Sequence, residues 1–227
     1  MSPVVLCGSL GSTAAMWDAQ QPVLAGKDVI RFELPGHGAA PVTRLDGIDT
    51  LAEQAITSAG GRFTLVGLSL GGAVAMRVAA KHSARVERLV LACTSPRFGE
   101  PSHWHERAAT VRRNGLGTIV DAVLARWFTP AFDDAERYRA MFLSVHPEGY
   151  ARCCDVIAGW DGRADLDRIE APTLVVAGAG DPTSPPAHAQ EIADLIPNAR
   201  TVVIDDAAHL ANVERPDVFN ELLREVL

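Results

Sequence analysis

The sequence predicts an α/β protein in which a mostly parallel sheet is flanked by helices on both faces. Two observations carry most of this. Short apolar, β-branched runs alternate with segments of helical period, the rhythm of βαβ units. One of those runs also passes through a small-residue turn straight into a helical pattern, Phe63-Thr-Leu-Val-Gly-Leu-Ser69-Leu-Gly-Gly72 followed by AVAMRVAAKH.

In chain order, strands are expected at 4–7, 28–34, 63–67, 86–93, 173–177 and 201–204, each too short for a helix and rich in Val, Ile and Leu. The best-defined helices are 71–82, 187–195 and 216–226. Pro216 suits the first turn of the last one, because a helix has no use for the N–H at that position. The alternation stops after Thr94 and resumes at Pro172. Between them lie amphipathic helical patterns separated by the breakers Asn114-Gly115, Thr129-Pro130 and His146-Pro147. The expected organisation is therefore a core made of 1–96 and 166–227 with a helical lid, 97–165, inserted into it. The lid holds three of the four tryptophans (Trp104, Trp127, Trp160) with Phe128, Met141 and Phe142, and lid packing accounts for most of these.

With 227 residues, 48% of them hydrophobic, the chain can build one sizeable core. A net charge of -7 disfavours nucleic acid as a partner. In 97–170 all ten cations are arginines, whose planar fork suits carboxylates. Cys7, Cys93, Cys153 and Cys154 have neither zinc-ligand spacing nor the look of a disulfide framework. The opening MSPVVLCGSL lacks a cationic start and a long apolar run, and no stretch of about 18 apolar residues occurs, so no membrane is expected and a cytoplasmic location is.

The segment around Ser69 has the form of a nucleophile elbow. A serine in a strained conformation between strand and helix needs small neighbours, which Gly67 and Gly71 supply, and the helix that follows favours negative charge at its start. A serine hydroxyl needs a base, and sites of this kind use the order serine, acid, histidine. Asp181, in the loop Ala-Gly-Ala-Gly-Asp-Pro, and His209, in Asp-Asp-Ala-Ala-His-Leu, follow successive strands at the carboxyl edge of the sheet. Asp205 and Asp206 are rival acids, with a solvated turn as their alternative role. Oxyanion donors are expected from the backbone N–H groups of Leu70 and of Leu10, the latter in Cys7-Gly-Ser-Leu-Gly-Ser12. His37, in Pro-Gly-His-Gly, is expected to brace the loop beneath the site. His103 and His105 are two apart on a helix, so their rings diverge, and no metal site is expected.

The segments GSLGSTAAMWDAQ (8–20), PGHGAAPV, VGLSLGG, ARWFTPAF (125–132), PEGYARCCDVI (147–157), APTLVVAGAGDPTSPP and DAAHLANVERP (206–216) resemble those of the 3-oxoadipate enol-lactonases, α/β-hydrolases of the β-ketoadipate pathway of bacterial aromatic catabolism. The resemblance covers nearly the whole chain, lid included. Gly8-Ser9, where related hydrolases usually carry His-Gly, is similar to the enol-lactonase pattern. The resemblance implies an α/β-hydrolase fold with the lid between the sixth and seventh family strands. It implies a triad of Ser69, Asp181 and His209, oxyanion donors at Leu10 and Leu70, no cofactor, and a small anionic enol-lactone as substrate. Trp127 or Arg126, in ARWFTP, would hold the substrate carboxylate. The family's first strand pair is expected to be missing and the stretch 38–63 is short, which would leave strand 28–34 near an edge. The same fold and triad also serve other esterases, perhydrolases and carbon–carbon bond hydrolases, and the fold alone serves ligand receptors.

Overall fold

The computed structural model describes residues 2–227; Met1, the first residue of the expected N-terminal core part, lies outside them. In chain order the elements are β1 (Val4–Cys7), a 3-10 turn (Ala14–Gln20), α1 (Gln21–Leu24), β2 (Val29–Phe32), α2 (Ile48–Ile56), β3 (Phe63–Leu68), α3 (Leu70–Lys81) and β4 (Val86–Ala92). Four helices of the insertion follow: α4 (Pro101–Asn114), α5 (Val120–Trp127), α6 (Ala135–Leu143) and α7 (Pro147–Ala158). The chain then returns to β5 (Thr173–Gly178), α8 (Pro186–Leu195), β6 (Ala199–Ile204), α9 (Ala211–Glu214) and α10 (Pro216–Val226).

All six strands pair in parallel, in the order β2-β1-β3-β4-β5-β6. Parallel strands need covered faces, and β1, β3 and β5 are accordingly buried along their whole length and apolar but for Thr64 and Thr173. The half-buried β2 forms one edge, where the sequence places strand 28–34, though it is shorter than that. Pro35 cannot donate to a ladder and turns the chain away just after it. β6 starts two residues earlier than its apolar run, because Ala199 and Arg200 pair with Thr173 and Leu174.

This order reverses direction between β1 and β3. The connections leaving those strands diverge, opening a crevice beyond their carboxyl ends. α2 and α3 pack together against β1 and β3, while α10 packs on the 3-10 turn and α1, with the rings of Trp17 and Phe219 6.5 Å apart. The insertion covers the crevice. Its α4 and α7 lie side by side, tied by the Arg112 fork to Glu148 and Asp155. At the start of α7, His146 N–H donates to Gly36 C=O at 2.8 Å, joining the insertion to the loop after β2.

The junction of β3 with α3 is packed to the limit. A Cβ on Gly71 would lie 2.0 Å from the carbonyl oxygen of Cys7, and one on Gly67 would lie 2.2 Å from that of Gly71. Both obstacles are backbone and cannot swing aside. Gly71→Ala is therefore expected to destabilise the fold by roughly 3 kcal/mol or more in urea unfolding, whereas Gly60→Ala, with open space around it, stays within about 0.5 kcal/mol. Equal stability of the two variants would contradict this packing.

Candidate active site

Ser69 sits between β3 and α3 at φ 58°, ψ -118°, a conformation an L-residue adopts only at a cost. It is held there from both sides. Ser69 N–H donates to Ala92 C=O at 3.0 Å, and the Thr94 hydroxyl donates to Ser69 C=O at 2.7 Å. The turn thereby lifts the Ser69 side chain above the end of the sheet.

Asp181 stands in the loop after β5 and His209 in the loop after β6, so parallel strands bring all three residues to one edge. The Ser69 hydroxyl lies 2.8 Å from His209 Nε2, and His209 Nδ1 lies 2.7 Å from Asp181 Oδ2. The carboxylate can only accept, so Nδ1 carries the imidazole proton and Nε2 is free to accept from the serine. The second oxygen of Asp181 accepts the backbone N–H groups of Thr183 and Ser184 at 2.8 and 3.0 Å. With its side chain fully buried, this carboxylate cannot drift from the imidazole. The rival acids point elsewhere: Asp205 and Asp206 are exposed, and Asp206 faces Arg215.

Gly71 N–H donates to Gly8 C=O at 3.1 Å, which sets the loop after β1 against the start of α3. Leu10 follows in that loop and lines the cleft beside Ser69, while Leu70 opens α3. The next peptide is fixed by His37, whose Nε2 accepts Gly11 N–H at 3.0 Å while Nδ1 donates to Pro35 C=O at 3.1 Å. The bracing expected of His37 is thus a direct bond to the Leu10 loop.

Leu10, Ser69 and His209 line a cleft beneath the insertion. Trp127 and Arg126, the carboxylate candidates from the sequence, both line it. So do Trp104, Tyr150 and Arg107, which sequence reasoning left out or assigned to packing. Of the ten arginines in 97–170, seven reach a carboxylate: Arg97, Arg112, Arg137, Arg139, Arg152, Arg163 and Arg168. Among the described residues Arg107, Arg113 and Arg126 form no ion pair; Arg113 is exposed, and the other two face the cleft. Arg107 stacks over the Trp104 ring at 4.8 Å. Burial, and then the charge of Arg107, pull the Arg126 pKa below its usual value. Two cations of the cleft thus lack a counter-charge. Trp104 and Trp160 donate their indole N–H groups to the carbonyls of Phe98 and Ser95, and Trp127 has no such partner among the described residues.

The four cysteines are buried and free, and burial raises every thiol pKa, so none competes as a nucleophile. Among the described residues no three His, Cys, Asp or Glu side chains cluster as metal ligands, and no helix is long and apolar enough to cross a membrane.

The chain is an ester hydrolase of the α/β-hydrolase fold, and in it a serine on a strained strand-to-helix turn is bonded to a histidine that is bonded to a buried aspartate. It belongs to the Alpha/beta hydrolase family, whose sequence model matches residues 4–222. It is 34% identical over 239 residues to 3-oxoadipate enol-lactonase 2 of Acinetobacter baylyi, an alignment covering 99% of this chain and 88% of that one. The crystal structure of the enol-lactonase from Burkholderia xenovorans LB400 superposes with a TM-score of 0.92 at 33% identity, covering 99% and 90% of the two chains. A thermophilic esterase from Thermogutta terrifontis, solved with malate bound, matches with a TM-score of 0.91 at 31% identity over 99% and 89%.

His37 makes the site's scaffold sensitive to acid. Burial lowers its pKa from the usual 6.5 to about 4, so the folded protein keeps the neutral ring that Gly11 N–H requires. The unfolded chain takes up this proton near pH 6.5 and the folded one only near 4. The contribution is therefore complete above about pH 6.5 and is lost as pH falls through that window, by roughly 3 kcal/mol. Urea unfolding of wild type and His37→Gln between pH 7 and 4 should show the wild-type advantage shrinking with acid. A difference constant across that range would contradict the assignment.

Proposed function

We propose that this protein hydrolyses 3-oxoadipate enol-lactone to 3-oxoadipate, a step of the β-ketoadipate pathway of aromatic catabolism. Ser69 is the nucleophile, His209 its general base, and Asp181 orients the imidazole. The observation that carries the reading is the pair of arginines without carboxylate partners, Arg107 and Arg126, lining the same cleft as the Ser69–His209 pair. Such a cleft favours an ester that bears its own carboxylate. The similarity to enol-lactonases supports this, and malate bound to a related esterase fits a carboxylate-bearing ligand.

The Ser69 oxygen attacks the ring carbonyl as its proton passes to His209 Nε2. The N–H groups of Leu10 and Leu70 receive the oxyanion, which develops where the positive end of α3 points. The ring C–O bond breaks, the enolate leaves with the proton from His209, and the enol becomes a ketone. Because the lactone opens, the leaving group stays joined to the acyl chain. Water activated by His209 then releases the second carboxylate and restores the Ser69 hydroxyl. Arg126 and Trp127, joined by Arg107, hold the carboxylate of the acetate arm. The insertion, 97–165, acts as the lid between the two core parts, 1–96 and 166–227.

Turnover of freshly generated lactone beside a neutral aryl ester tests the reading. Ser69→Ala should lower kcat by about 10⁴-fold or more on both. Arg126→Met, Arg107→Met and Trp127→Phe should each raise KM for the lactone about tenfold or more while changing that for the neutral ester by less than about threefold. Equal effects on both substrates would remove the carboxylate site, and a preference of orders of magnitude for the ester would remove the lactone.

A further inference from the structure

We infer that Glu214 is a positioning residue that clamps the end of the lid to the loop carrying His209, so that the reach of the imidazole to Ser69 depends on the seat of the lid. The inference rests on the reading of Ser69 and His209 as nucleophile and base. Glu214 closes α9, the short helix directly after the histidine loop. Its Oε2 accepts Ala208 N–H at 2.8 Å. Its Oε1 accepts Thr129 N–H at 2.8 Å and also the Thr129 hydroxyl. Thr129 lies two residues beyond Trp127, the last residue of α5. Leu210 N–H in turn donates to Trp127 C=O at 2.9 Å. The N–H groups of the residues on either side of His209 therefore both end on acceptors tied to the lid, and neither Ala208 nor Leu210 is open to water that could substitute.

The chemistry asks for a carboxylate here. Among the described residues Glu214 forms no ion pair; its neighbour Arg215 reaches Asp206 and Asp217 instead. Three donors converge on it, two on one oxygen and one on the other, and only a group with two accepting oxygens and no donor satisfies both sides. A glutamine of the same shape turns an NH₂ toward either Thr129 N–H or Ala208 N–H, donor against donor. The bridge then opens on one side while the other side and the packing remain.

Rapid-mixing acylation by p-nitrophenyl acetate separates positioning from folding. The burst amplitude counts assembled sites, and the burst rate at saturation reads how well His209 serves Ser69. Glu214→Gln should slow the saturated acylation rate about tenfold and Glu214→Ala about a hundredfold, with the half-saturating ester concentration within twofold of wild type. With the lactone, Trp127→Phe should cost less in the Glu214→Gln background than in wild type, because the link is already open. A purely structural role would lower the amplitude and leave the rate unchanged. An acylation rate within twofold of wild type for Glu214→Gln overturns the inference, and that variant decides the matter if Glu214→Ala does not fold. Wild-type acylation by Ser69→Ala would overturn the nucleophile assignment itself, and the inference with it.

Discussion

One main-chain constraint governs the rest: a non-glycine residue, Ser69, held at φ 58° where β3 becomes α3. Such a turn costs of order 1 to 3 kcal/mol and persists only where its surroundings over-determine it. Here they do. Ala92 and Thr94 grip the serine peptide, Gly71 donates to Gly8, and the backbones of β1 and α3 approach so closely that a single methyl group between them has no room. The close approach also sets the Leu10 loop beside the start of α3, so the strain that presents the hydroxyl and the donors proposed to meet the oxyanion are consequences of one packing event.

Parallel strands convert that local event into a site. Because β3, β5 and β6 run the same way, the loops after them open at one edge, and residues 69, 181 and 209 meet within hydrogen-bond distance. Each member is fixed through main-chain groups: the serine as above, the aspartate by two N–H groups, the histidine by bonds from the N–H groups of its neighbours Ala208 and Leu210. The insertion completes the arrangement by roofing the crevice with aromatic side chains and with two arginines that, among the described residues, no carboxylate pairs with.

How much of this the sequence discloses follows from how local each signal is. The elbow is legible because glycine at 67 and 71 is a steric demand of the turn around Ser69. Asp181 and His209 are legible because chain order and strand ends suffice to place them. The breakers in the insertion mark real boundaries: α4 ends at Asn114, with Gly115 at φ 75°, and α7 begins at Pro147. Arg107 is hidden, since ten arginines share one stretch and only the folded arrangement reveals which of them lack an acid. Glu214 is hidden for the same reason, because its partners at Thr129 and Ala208 come from segments about eighty residues apart. Trp104 is read from sequence as packing, and in the folded chain it lines the cleft with Arg107 over its ring.

The central claim is that Ser69 carries the opened lactone as a covalent ester, and intact-mass measurement on samples quenched during turnover reads it directly. A lactone loses no fragment on opening. The protein should therefore gain the full mass of the substrate, on the peptide containing Ser69, and return to its starting mass once the lactone is consumed. Undiminished lactone hydrolysis with the adduct on another residue, or with Ser69 replaced by alanine, would contradict it.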